Sequence, residues 1–91
     1  MEAKLERINV IAVFAGFRMD ACPRKITPLR FLLPSGEKHK VKKIRRVYTE
    51  RNGDTRHIHF VVQTDQQRYF DIVYDSKEMS WMLLLELDKL G

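Results

Sequence analysis

The sequence predicts an all-β domain: a small antiparallel meander or barrel, SH3-like or OB-like, of five or six strands. Two observations carry this. Short runs rich in Val, Ile, Phe and Tyr recur along the chain, several of them alternating apolar with polar residues. Between them lie Pro34-Ser35-Gly36, Asn52-Gly53 and Thr64-Asp65-Gln66-Gln67, each a tight-turn signal.

The first element, INVIAVFAGF, is read as a strand over residues 7–15. One face carries Ile8, Val10, Ala12 and Phe14, the other Ile11, Val13 and Ala15, so both sides want cover. RMDACPRK follows as a loop broken by Pro23. ITPLRFLL is a second strand, with Pro28 at its start or on an edge because proline lacks a ladder donor. Leu29, Phe31 and Leu33 are expected to point inward together.

The stretch from Gly36 to Gly53 is harder. Val41, Ile44, Val47 and Tyr48 have the spacing of one helical face. Three facts favour a strand over 38–50. Val, Ile, Tyr and Thr suit strands, six closely spaced cations would repel along a helix, and Asn52-Gly53 fits a type I′ turn between two strands. A bulge between Val41 and Ile44 would reset which side faces in; a single-turn helix near Val41 is the alternative. TRHIHFVVQT is the partner strand, with Ile58, Phe60 and Val62 on one side.

RYFDIVYD is the next strand, with Phe70, Ile72 and Tyr74 together. The last segment is strand or helix. Asp75 with Glu78 has the form of a capping box. As a strand, Trp81, Leu83, Leu85 and Leu87 alternate with Met82, Leu84, Glu86 and Asp88. The strand is preferred, because a meander otherwise ends on an open edge.

Ninety-one residues make one domain, residues 1–91, with a modest core and little room for a deep cofactor pocket. Cys22 is the only cysteine, which excludes an internal disulfide. Glu2 and Glu6 precede the first apolar run, the wrong charge for a secretion signal, and Ile8 to Phe17 is too short to span a bilayer as a helix. The expectation is a cytoplasmic protein with no membrane role.

Catalytic chemistry finds little support. His57 and His59 form an H-x-H pair, but zinc needs three or four ligands and nothing in the spacing brings His39 or Cys22 to them. They read as exposed histidines on a polar face. Asp71 and Asp75 read as solvated charge, and Cys22 as an inert thiol. No phosphate-binding glycine loop occurs. No catalytic residue, metal or cofactor is expected, and the chain reads as a non-catalytic interaction module.

Charge is the feature above background. The net charge is +5, unevenly spread: residues 1–64 hold 14 Lys and Arg against 6 Asp and Glu, residues 65–91 hold 3 against 6. Lys40, Lys42, Lys43, Arg45, Arg46 and Arg51 form a basic ribbon suited to nucleic acid or an acidic protein surface. A second expectation is a homodimer, because Ile11, Val13, Met82 and Leu84 have no evident cover in so small a chain.

The order of an apolar first strand (Ile8–Phe14), Pro28-Leu29-Arg30-Phe31, Gly36 followed by Val41, and a late Trp81 resembles a group of small uncharacterised bacterial all-β barrel-like proteins. Some of that group are associated with translesion DNA polymerases. The resemblance implies a β-barrel and an association with DNA, and no catalytic residue.

Overall fold

The computed structural model describes residues 5–14 and 26–88. Within them the chain forms six strands: β1 Glu6–Phe14, β2 Ile26–Leu32, β3 Lys38–Asn52, β4 Thr55–Thr64, β5 Tyr69–Asp75 and β6 Ser80–Leu87. Each pairs antiparallel with the next, and β6 returns to β1 to close a barrel. The expected small β-barrel is what the chain forms, and its C-terminal segment is strand. The Arg18–Lys25 loop and Cys22 lie outside the described residues.

β3 resolves the ambiguity of its own sequence. Val41 stands opposite Thr64 and Lys43 opposite Gln63; Ile44 stands opposite Val62 and Arg46 opposite Val61. Lys42 and Arg45 are therefore extra residues, each making a bulge. A bulge shifts the two-residue alternation by one. Two bulges three residues apart turn the inward period from two to three, which places Val41, Ile44 and Val47 on the barrel side of an extended strand. The bulge expected between Val41 and Ile44 is present, and a second follows it. Beyond Arg45 the period of two returns, so Tyr48 points outward with its partner His59 and not inward as its spacing suggested.

The same device corrects two other expectations. On β2, Arg30 stands opposite Ile11 and Pro28 opposite Ala12, so Leu29 is the extra residue. Phe31 and Leu33 are buried as expected, but Leu29 is turned out and 41% exposed. On β6, Leu83 stands opposite Ile72 and Leu85 opposite Asp71, so Leu84 is extra. Trp81 and Leu83 face the core, and Leu85 no longer shares their side. Pro28 sits where β2 has one neighbour only, since β3 pairs with β2 no further than Arg30; a residue without a ladder donor is tolerated there.

The barrel is filled by Ile8, Phe31, Leu33, Phe60, Val62, Phe70, Ile72, Tyr74 and Trp81. Phe31 meets Phe70 edge-on with centroids 5.3 Å apart, and Tyr74 lies 5.0 Å from Trp81. His39 is buried among them, stacked on Phe31 at 5.3 Å. Arg68 ties down this end of the barrel. Its Nε and Nη2 donate to Glu86 at 2.8 and 2.9 Å, and its Nη1 donates to Glu37. Those two carboxylates hold the Arg68 guanidinium pKa above its ordinary value.

The turns are set by local chemistry. Leu33 and Gly36 close the β2–β3 turn, with Gly36 at φ +95°, where a side chain is strained. The β3–β4 loop is Gly53-Asp54, one residue later than expected, since Asn52 pairs with Thr55. Only Gly53 has positive φ there, which fits type II′ and not type I′. Asp75 does act as a cap: its Oδ1 accepts from the backbone N–H groups of Lys77 and Glu78, both at 2.9 Å. It closes one turn only. Met79 donates to the Asp75 carbonyl at 2.7 Å, adopts φ 55° and returns the chain to strand.

These assignments set contrasting costs. Ile72 is fully buried and Val47, though of inward parity, is 53% exposed. In urea unfolding, Ile72→Ala is expected to lose about 3 kcal/mol, and Val47→Ala about 0.5 kcal/mol or less.

Candidate nucleic-acid interface

The two bulges of β3 decide what the outside of the barrel carries. Each turns a consecutive pair outward, Lys42-Lys43 and then Arg45-Arg46, and all four are exposed. Lys40, opposite Arg30 on the outer face, precedes them. Five of the six cations singled out from sequence thus form one row. Arg51 does not belong to it: it lies opposite Arg56 at the far end of β3, beside a hollow that Asp54 also lines.

The row is not neutralised from within. Among the described residues, the close contacts of basic side chains with carboxylates use His39, His57, His59, Arg68 and Lys77, and none uses a cation of the row. Arg45 reaches only the neutral Gln63, at 3.4 Å. Arg46 lies over the Tyr48 ring, 5.3 Å from its centroid. That contact holds a guanidinium by a π-face and leaves its charge unpaired.

Beneath Arg46 lies a polar network that sequence spacing did not suggest. Tyr48 stacks on His59 with centroids 4.4 Å apart. The Tyr48 hydroxyl donates to Asp71 Oδ2 at 3.0 Å. His59 Nδ1 is 3.0 Å from Asp71 Oδ1, and His59 Nε2 is 2.9 Å from Glu50 Oε1. Both contacts are hydrogen bonds only when each ring nitrogen carries a proton, because a carboxylate accepts and cannot donate. No group of three or more candidate ligands arranged for a metal ion occurs among the described residues. Beside this network, His57 Nε2 lies 3.2 Å from Asp75 Oδ2.

The expectation of exposed histidines and solvated carboxylates is therefore overturned. His59 is 4% exposed and Asp71 5%. Their burial requires partners, and register supplies them. The turn read from sequence as Thr64–Gln67 would set His57 opposite Tyr74; the observed turn closes one residue later, on Thr64 and Arg68, and that puts His57 directly opposite Asp75. The His59–Asp71 contact is diagonal across the same pair of strands, and only the three-dimensional twist brings it into reach.

The four residues expected to form one self-association surface do not lie together. Ile11 and Val13 are 63% and 53% exposed on β1. Met82 and Leu84 are half-buried; Met82 lies opposite Arg7, and Arg7 and Asn9 separate it from Ile11 along the outer face of β1. The bulged Leu29 stands beside Ile11 and Val13 instead.

Comparison with protein families, curated proteins and solved structures finds no match to this chain.

Two titrations test the network. Burial first, then the hydrogen bond to Asp71 and the charges of Asp71 and Glu50, push the Tyr48 hydroxyl up to about 12. Its neutral form is the one the fold favours, so this contribution is whole below the ordinary tyrosine pKa and is lost as pH rises towards 12. The phenolate absorbance of the native protein should show a late step that Tyr48→Phe removes. The Asp75 carboxyl is held below its ordinary range by the Glu78 backbone N–H first, with the Lys77 N–H and His57 adding to it. Its contribution is complete above the unfolded carboxylate pKa and is lost as pH falls from about 4 towards the folded value. Asp75→Asn should lower stability at neutral pH and flatten the acid limb of a stability–pH curve.

Proposed function

We propose that this chain is a non-catalytic binding module that docks nucleic acid along the outward cations of β3. One observation carries the reading: Lys40, Lys42, Lys43, Arg45 and Arg46 stand exposed in one row, and none is paired with a carboxylate among the described residues. Neutralising phosphates releases condensed counterions, and a row of one sign on an extended strand suits a linear polyanion. The aromatic rings near the row serve other contacts. Tyr48 is stacked on His59, and Phe60 and Phe70 are in the core. Contacts to phosphate therefore dominate, and little sequence preference follows.

Anisotropy with labelled single- and double-stranded oligonucleotides tests this. Four phosphate contacts on a single strand give a slope of about −3 in log K against log salt. Lys43→Glu with Arg46→Glu should abolish binding and keep the β-rich circular dichroism spectrum, since both side chains are exposed. No binding at tens of micromolar protein in low salt, or a row whose partner is not displaced by oligonucleotide, would leave an acidic protein surface as the better occupant.

A second reading is favoured by the exposed strip of Ile11, Val13 and Leu29. A second copy of the chain would remove that strip from water at roughly 25 cal/mol per Å². Sedimentation at micromolar concentration should then show a dimer that Ile11→Lys dissociates, and a monomer throughout would dismiss it.

A further inference from the structure

Where β1, β2 and β3 run side by side, the outer surface is concave. Two cross-strand rows cross it, Ile11–Arg30–Lys40 and Asn9–Leu32–Lys38. The β4–β5 turn forms one wall with Asp65 and Gln66, held in place by the Asp65 N–H donating to the Lys40 carbonyl at 3.1 Å. The concavity encloses about 560 Å³.

Its charges are arranged against the fold's own interest. Arg30 and Lys40 stand directly opposite each other on neighbouring strands. Like charges in that position destabilise a sheet, and Lys38 adds a third cation two residues along the same face. Among the described residues no carboxylate pairs with any of the three. An anion seated in this triangle removes the repulsion. The volume exceeds what inorganic phosphate fills. The remaining surface is of two kinds: the apolar side chains of Ile11 and Leu32, and the hydrogen-bonding ends of Asn9, Gln66 and Asp65. Three cations, a flat apolar strip and a rim of donors and acceptors match the parts of a nucleotide.

We propose that this concavity binds a nucleoside monophosphate unit. Its phosphate lies among Arg30, Lys38 and Lys40, on the side of the Gln66 amide, its base lies against Ile11 and Leu32, and the base edge meets Asn9. Lys40 also begins the β3 row, so the polymer form of the proposal rests on the nucleic-acid reading. A free nucleotide and the phosphorylated end of a strand both offer the unit.

The full chain is titrated with adenosine monophosphate, adenosine and inorganic phosphate while backbone amide shifts are followed by NMR. Adenosine monophosphate is expected to move the amides of residues 9–11, 30–32, 38–40 and 65–66, and to bind at least about tenfold more tightly than either fragment. Arg30→Gln and Arg30→Glu should each lose about tenfold in that affinity, and Arg30→Glu should melt about 2 °C higher because it exchanges a repulsion for an attraction. Lys43→Glu with Arg46→Glu should keep the mononucleotide and lose the polymer. A phosphorylated oligonucleotide that outbinds its hydroxyl-ended twin identifies a strand end as the source, and equal binding identifies the free nucleotide. Inorganic phosphate binding as well as the nucleotide, amide shifts confined to other residues, or Arg30 variants that bind as the parent overturn the proposal. If oligonucleotides bind while the mononucleotide does not, this inference fails alone. If the mononucleotide binds while oligonucleotides do not, the polymer reading fails alone.

Discussion

The structure depends on one strand serving two partners. β3 pairs with β2 through Lys38, His39 and Lys40, and with β4 from Val41 onward. An extended strand that changes partner while a barrel closes has to bend and twist, and bulges are how an antiparallel ladder does so. Lys42 and Arg45 supply them just past the change of partner. The consequences run both ways through the strand. Inward, Val41 and Ile44 pack on the core at a spacing of three. Outward, each bulge presents two consecutive side chains, and all four are exposed and polar. The Lys42-Lys43 and Arg45-Arg46 pairs are thus placed by barrel closure before they are placed by any ligand.

The polar network on β3, β4 and β5 carries the next constraint. Asp71 and His59 are buried on the outer side of the sheet, away from the aromatic core. Removing one partner from such a set leaves a buried charge uncompensated, at a cost of about 3–5 kcal/mol. The set is satisfied as it stands, with Tyr48 and Asp71 closing one side of His59 and the exposed Glu50 the other. Tyr48, fixed by this network, is the ring that Arg46 lies against. Buried hydrogen bonding therefore orders the end of a row whose other members are held only by their backbone.

Legibility in the sequence follows from where period two survives. Phe60 with Val62, and Phe70 with Ile72 and Tyr74, lie on strands that take no extra residue of their own over those positions, and their inward side was readable. Leu29, Lys42, Arg45 and Leu84 are extra residues of four different bulges, and no one residue type marks them: two are leucine, one lysine and one arginine. Only a bulge between Val41 and Ile44 was foreseen, without its extra residue, because the hairpin after it demanded a strand while the apolar spacing refused period two. The basic row was legible as composition, but its division into Lys40–Arg46 and the separate Arg51 was not, since that depends on parity after the second bulge. The concavity was illegible. Counting outward from the Pro34-Ser35-Gly36 turn sets Arg30 opposite Lys40, but no local pattern brings β1 and the β4–β5 turn to that pair.

A rival account of the row is that it guards an edge. Past Lys40 the side of β3 that faced β2 has no strand partner among the described residues, and bulges with lysine are a common defence of such edges. That account covers Lys42, Lys43, Arg45 and Arg46. It does not cover Arg30, which is laddered to Ile11 on one side and to Lys40 on the other and so has no edge to guard. Nor does it cover sign. A guard works with either charge, and mixing Glu among the lysines would protect the edge while relieving their mutual repulsion. From Lys38 to Arg46 the outward positions hold no carboxylate. Edge protection accounts for the bulges and for polar side chains at them. The uniform positive charge, continued onto Arg30 of β2, is the part that edge protection does not explain.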